Sequence, residues 1–359
     1  MTGRPRAALE ILPAYRPGRS AEQVAAEHGI ADAVKLASNE LPFGPVPSVA
    51  GSIAAGIEDL HLYADTRATG LRADIARFHG VDAEQVTVSN GSVTVLQQLV
   101  LSYVDAGDEL AMCWPSFEAY PLFALLVGAE QVRVPLVDER FDLDALADSI
   151  TERTRLVFIT NPNNPTGTTV STEEIRRCCA RVPSSCIVVL DEAYAEFVTD
   201  PSVTDSVPLL AEFDHLVITR TFSKAHGLAG LRVGYALAHP DVITTLDKTF
   251  VPFAVNSLAQ RAASASLQAT EEMASRVASV VTERERVAAA LRTQGWALPD
   301  AQGNFVWLPL ADRAAALGAD LERAGVIART FDGVGVRVTI ASRPMNDRFV
   351  EAMARLTPG

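Results

Sequence analysis

A chain of 359 residues, 48% of them hydrophobic, is long enough for one large domain and a smaller companion. Its 31 basic and 44 acidic residues leave a net charge of −13, which argues against nucleic acid or an anionic membrane surface as the main partner. Cys113, Cys178, Cys179 and Cys186 form neither a CxxC pair nor a disulfide framework, so no metal is expected; with no apolar signal core and no bilayer-length apolar run, the expected compartment is the reducing cytoplasm.

Residues 1–35 carry Pro5, Pro13 and Pro17 and one short helical pattern at 21–28. They read as an arm that packs with a C-terminal domain. Lys35-Leu-Ala-Ser-Asn-Glu-Leu-Pro-Phe-Gly-Pro45 is a turn-rich loop in which Asn39 either faces a pocket or makes a local turn. An amphipathic helix is predicted over 71–79. Val86-Thr-Val-Ser-Asn-Gly-Ser92 is a strand running into a glycine turn, followed at once by a helix over 93–103. Free N–H groups at such a helix start make a ready phosphate site, although many strand-to-helix turns look alike.

From there strands and helices alternate. Strands are predicted at 109–113, 131–135, 156–160, 186–190, 216–220 and 233–237, and helices at 118–126, 143–149 and 172–181. Apolar runs of strand length alternating with helices imply βα units and a mostly parallel sheet flanked by helices, over 36–250. After residue 250 the pattern changes. A proline-free helical stretch covers 257–293, then come strands at 304–308, 326–329 and 336–340 and helices at 311–324 and 346–356. Residues 251–359 read as a smaller α+β domain.

Ligands of such sheets bind beyond the carboxyl ends of the strands. Ser92, Phe117, Asn164, Asp191, Tyr194 and Lys224 all fall at predicted strand ends. Lys224 stands in Thr221-Phe-Ser-Lys-Ala-His-Gly-Leu-Ala-Gly-Leu-Arg-Val-Gly234, among hydroxyls and eight residues before Arg232. A lysine desolvated there becomes a nucleophile toward an aldehyde, and Thr221, Ser223 and Arg232 suit a phosphate. An aldehyde that carries a phosphate suggests pyridoxal 5'-phosphate. Taken alone, the segment reads equally as a surface lysine in a polar turn. A carboxylate for the pyridine nitrogen, such as Asp191, and donors to the ring oxygen, such as Tyr194 and Asn164, complete the requirement.

Asn164-Pro-Thr-Gly167, Asp191-x-x-Tyr194 and Ser223-Lys224 with Arg232 together resemble the fold type I pyridoxal-phosphate aminotransferases. More narrowly, Ser38-Asn-Glu, Asn161-Pro-Asn-Asn-Pro-Thr-Gly167, Asp191-Glu-Ala-Tyr and the Lys224 segment are similar to the histidinol-phosphate aminotransferase group. Cys113-Trp-Pro-Ser-Phe-Glu-Ala-Tyr-Pro121, Asp247-Lys-Thr-Phe-Val-Pro-Phe253 and Asn304-Phe-Val-Trp-Leu-Pro309 look most like its actinobacterial aromatic members. The resemblance covers nearly the whole chain.

It implies an internal aldimine on Lys224, which then moves the proton between Cα and C4'. Asp191 would pair with the pyridine nitrogen, Tyr194 and Asn164 with the ring oxygen, and Phe117 would stack on the ring. Ser92 and Val93 through backbone N–H, with Thr221, Ser223 and Arg232, would hold the phosphate. Tyr63 would reach the phosphate of a neighbouring subunit, making a homodimer. Arg337 would anchor the substrate's acidic group, with Asn39 and Tyr15 nearby. Tyr63 is followed by Ala64-Asp65 where the group usually has Pro-Asp.

The implied reaction is transfer of the amino group of phenylalanine, tyrosine and also tryptophan to 2-oxoglutarate. Histidinol-phosphate transamination is the alternative on the same scaffold. Trp114, Phe117, Phe253 and Trp307 are expected as apolar pocket walls; Asn256, Arg329 and Arg343 are candidates for polar or dianionic substrates. A pyridoxal-phosphate lyase or decarboxylase and a non-catalytic ligand sensor are further readings. A dinucleotide-binding dehydrogenase is disfavoured, because no G-x-G-x-x-G follows the first strand.

Overall fold

The computed structural model of the protein describes residues 3, 9–10, 19–30 and 32–358. The elements in chain order are α1 (Ala21–His28), β1 (Val34–Lys35), α2 (Pro47–Ala55), α3 (Thr69–His79), β2 (Val86–Ser89), α4 (Ser92–Tyr103), β3 (Glu109–Trp114), α5 (Ala119–Val127), β4 (Glu130–Pro135), α6 (Leu143–Asp148), β5 (Thr154–Thr160), α7 (Thr172–Arg181), β6 (Ile187–Asp191), β7 (Leu216–Thr221), β8 (Gly234–Ala238), α8 (Pro240–Leu246), α9 (Ser257–Gln268), α10 (Thr270–Thr293), β9 (Phe305–Pro309), α11 (Ala314–Arg323), β10 (Val326–Ile327), β11 (Arg329–Phe331), β12 (Gly335–Thr339) and α12 (Arg343–Met353).

Seven strands form one sheet in the order β2-β8-β7-β6-β5-β3-β4. β7, β6, β5, β3 and β4 pair in parallel, while β8 runs antiparallel to both β7 and β2. β2 therefore points the same way as β7, and five strands, β2, β3, β5, β6 and β7, end along one edge next to each other or one strand apart. The central strands are apolar at nearly every position because helices cover both faces. Leu110, Met112, Leu156 and Phe158 face the side of α4, α5 and α8; Ala111, Cys113, Val157 and Ile159 face the larger core with α3, α6 and α7. That alternation is the period of two of a β-strand.

The second sheet has the order β11-β12-β9 and is antiparallel. β1 pairs in parallel with β10, so the N-terminal segment is stitched to the C-terminal third. The predicted strand over 326–329 is in fact two: β10 pairs with β1, and β11, beginning after Ala328, pairs with β12. The predicted single helix over 257–293 is likewise two helices that meet at Ala269, whose ψ of 45° leaves the helical region. α9 packs on α2 and α3: Gln260 donates to the Asp65 carbonyl, and Arg261 pairs with Asp59 at 2.7 Å. α10 instead carries the buried Arg284, which donates to the carbonyls of Phe197 and Gly303. No helix among the described residues is long and apolar enough to cross a membrane.

Candidate active site

Gly91 ends the turn after β2 with φ of +81°, and it offers no side chain to cap α4. The first N–H groups of α4, those of the buried Ser92 and the exposed Val93, therefore stand free of a side-chain cap. Arg232, itself at φ of +57°, brings its guanidinium beside this turn; a Cβ on Gly91 would lie 2.7 Å from Nη2. Arg232 Nη1 donates to Ser223 Oγ at 3.3 Å and to the Ala229 carbonyl at 2.9 Å, while the Ser223 N–H donates to Thr221 Oγ1. Gly234, opposite Thr221 on β7, lets the α4 turn come close: a Cβ there would sit 2.3 Å from Ser92 N. Helix terminus, arginine and hydroxyls together form a cradle for a phosphate.

Lys224 follows β7 by three residues and is half-buried. Its Nζ donates to the carbonyls of Ser38 and Asn39, at 3.1 and 3.0 Å, and stands 5.7 Å from the centre of the Tyr194 ring. Burial, with help from the cations Arg337 and Arg232, lowers its pKa from 10.5 to about 7. A substantial share of the amine is thus neutral, and nucleophilic, near pH 7.

Asp191 is the last residue of β6 and is buried. Tyr120 donates its hydroxyl hydrogen to Oδ2 at 2.8 Å, whereas Oδ1 has no partner among the described residues. Burial pushes this carboxyl up to about 6, against the Tyr120 hydrogen bond and the weaker pull of the nearby Thr219 hydroxyl and Ala193 N–H. An orphaned, desolvated carboxylate oxygen is costly unless a cationic donor meets it. A protonated pyridine nitrogen is such a donor, so the residues present fit pyridoxal phosphate: an orphan acceptor, a low-pKa amine and a phosphate cradle.

Asn39, buried at φ of +53°, donates through Nδ2 to the Tyr194 hydroxyl at 2.9 Å and accepts from Thr339 Oγ1 at 3.0 Å. Arg337 on β12 is buried and donates to Asn164 Oδ1 at 2.5 Å and to the Ala37 carbonyl at 2.7 Å. Its Nε has no partner among the described residues. Phe117 is half-buried, its ring edge-to-face with Tyr120 at 5.5 Å.

Lys224, Asp191, Tyr194, Asn164, Asn39, Arg337, Phe117, Ser92, Thr221, Ser223 and Arg232 thus converge between the two sheets. Two predicted residues do not join them. Tyr63 is 84% exposed and rests on Phe253, ring centres 4.6 Å apart. Tyr15 lies outside the described residues.

Several expected pocket-lining residues have other work. Trp114 packs into the core beside α4 and α5, under the Arg133 guanidinium. Trp307, the cross-strand neighbour of Arg337, is fully buried beside it and donates its indole N–H to Glu139 at 2.7 Å. Asn256 caps α9 through the Ala259 N–H, and Arg343 is an exposed arginine 3.9 Å from Glu283. Tyr120 was not among the sequence candidates. Its hydroxyl links Asp191 and Thr160, and only its position three residues after Phe117, on the same face of a helix start, signalled it.

Residues 31–353 match the family described as aminotransferase class I and II. The chain is 48% identical over 351 residues to an aromatic amino acid aminotransferase of Streptomyces avermitilis, covering 98% of this chain and 96% of the relative. It is 49% identical over 353 residues to an aromatic amino acid aminotransferase of Thermobifida fusca, covering 98% and 97%. A solved histidinol-phosphate aminotransferase from Sinorhizobium meliloti, in complex with pyridoxal-5'-phosphate, matches with a TM-score of 0.90 at 27% identity, over 99% of this chain and 98% of that one.

Proposed function

The chain belongs to the class I and II aminotransferases, and on that premise we propose that it transfers the amino group of aromatic amino acids to 2-oxoglutarate with pyridoxal 5'-phosphate held at Lys224. The observation that carries the cofactor assignment is the orphaned Oδ1 of buried Asp191, in the same site as the Lys224 amine, whose pKa burial lowers to about 7. The aromatic preference rests on the names of relatives at 48 and 49% identity over nearly the full chain.

Bound pyridoxal phosphate supplies an electron sink for the bonds at the substrate's Cα. Asp191 Oδ1 would accept from the pyridine N–H and keep that proton in place. Ser92, Val93, Thr221, Ser223 and Arg232 would hold the phosphate, and Tyr194 and Asn164 would donate toward the ring oxygen. Phe117 would cover one ring face. Lys224 Nζ would hold the aldehyde carbon and would move a proton at the substrate's Cα. Arg337 takes the α-carboxylate and orients Cα toward Lys224.

We also assign the functional unit as a homodimer. Ile57, Leu60, Leu62, Tyr63, Val251 and Phe253 are large apolar residues left exposed on two neighbouring segments. Such a patch suits a second copy of the chain, and Tyr63 would reach the partner's phosphate. The compartment that fits four buried, unpaired cysteines is the cytosol.

The alternative substrate is histidinol phosphate, favoured by the solved relative at a TM-score of 0.90. The test is kcat/KM for phenylalanine, tyrosine and histidinol phosphate with 2-oxoglutarate as acceptor. Phenylalanine or tyrosine is expected to win. A tenfold preference for histidinol phosphate, about 1.4 kcal/mol of transition-state stabilisation, would overturn the aromatic reading.

A further inference from the structure

Arg329 and Arg337 face each other directly across the antiparallel pair β11–β12, so their side chains leave the same face of the small sheet. Both guanidinium groups lie over the ring of Phe331, at 5.6 and 5.8 Å from its centre. Two guanidinium groups on one face form a site suited to a doubly charged anion. A third charge alters that. Glu118, next to Phe117 and at the start of α5, accepts from Arg329 Nη2 through both carboxylate oxygens, at 2.7 and 3.0 Å. This is a contact between the large sheet's helix layer and the small sheet. Both partners are partly solvent-exposed, so the pair adds little to folding. Its effect is on the charge at the site. Arg337 feels Arg329 as a repulsive and Glu118 as an attractive charge.

We propose that Glu118 is a specificity-determining residue, which by holding and neutralising Arg329 leaves the site one net positive charge and so selects a carboxylate monoanion over a phosphate-monoester dianion. The proposal rests on the reading of Arg337 as the anchor of the substrate's acidic group. Two arginines and one carboxylate match the single charge of an amino acid's carboxylate. Two arginines without that carboxylate match a phosphate monoester, which carries close to two charges above pH 7.

The test uses the holoenzyme, whose cofactor already fills the phosphate cradle. Calorimetric titration at pH 8 gives Kd for 3-phenylpropionate and for 2-phenylethyl phosphate, in the wild type, in Glu118→Gln and in the double variant Glu118→Gln with Arg329→Gln. In Glu118→Gln the ratio of the two affinities is expected to move about tenfold toward the phosphate ester, about 1.4 kcal/mol. Removing Arg329 as well is expected to return the ratio to the wild-type value. A change under threefold in the single variant, or a gain that survives the loss of Arg329, overturns the proposal. Direct binding does not depend on which amine is the true donor. A wild type that prefers histidinol phosphate in turnover therefore sinks the aromatic reading, while the affinity ratio still judges Glu118.

Discussion

Replacing Asp191 with Asn is expected to stabilise the cofactor-free protein with rising pH while disabling the holoenzyme. The carboxyl is buried with one oxygen unpartnered, and its folded pKa stands near 6 against 3.8 for an unperturbed aspartate. Between these values the folded protein keeps a proton on Asp191 that the unfolded chain has released. Stability therefore falls as pH rises through that window, and the deficit is constant above it. The full deficit is roughly 3 kcal/mol. Asparagine keeps an acceptor for the Tyr120 hydroxyl and cannot ionise, so it escapes this loss. Its amide N–H group, buried where Oδ1 had been, costs about 1–3 kcal/mol, but that cost does not change with pH. The measurable quantity is the difference in unfolding free energy, variant minus wild type, from urea titrations at fixed protein concentration. It should grow by about 2 kcal/mol between pH 4.5 and pH 7.5, the part of the deficit that develops in that range. A difference that stays flat with pH would refute the argument that Asp191 is held short of a cationic partner. In the holoenzyme the same substitution is expected to lower turnover by about a hundredfold or more, because the pyridine nitrogen then lacks an anionic acceptor.

Two further outcomes follow from the geometry. Gly234→Ala forces a Cβ to within 2.3 Å of Ser92 N and 2.7 Å of the Gly91 carbonyl carbon; an overpacking cost of about 1–3 kcal/mol at the cradle should weaken pyridoxal phosphate binding tenfold or more in an absorbance titration, whereas Gly230→Ala, with open space around it, should not change that affinity. Tyr63→Ala and Lys224→Ala, each inactive alone, should regain activity when refolded together, since a mixed dimer holds one site with both residues intact; no recovery with mixed dimers present would count against a shared site.

The alternation of apolar strands with helices makes the seven-stranded sheet legible, and the strand ends then single out Asp191 and Lys224. The antiparallel course of β8 is not legible, because its apolar run reads the same in either direction. What places Gly234 against Ser92 is the pairing of β8 with β2. The break between α9 and α10 carries no proline or glycine. Its one local sign is Glu271 and Glu272, acids in the first turn of a helix. Helix α2 announces itself only by Pro47 at its first position. Aromatic type misleads for Trp114 and Trp307, since burial depth and the Glu139 acceptor are set by tertiary packing. Tyr120 and Glu118 escape for the same reason: each takes its meaning from a partner 71 or 211 residues away.

The bonds that position Asn39 and Arg337 also tie the two ends of the chain into one site. Asn39 meets Thr339, and Arg337 meets Ala37, each across 300 residues of sequence, and β1 pairs with β10. A chain emerging from the ribosome can complete the seven-stranded sheet once residue 238 is out, and Asn39 can then meet only Tyr194 and the Lys224 amine, since its bonds with Asn304 and Thr339 wait for the C-terminal third. Completing the site thus includes the closing of a very long loop, and contacts so far apart in sequence are slow to form. The cradle is built within residues 91–234, whereas Asn39 and Arg337 are fixed only by bonds that span the chain.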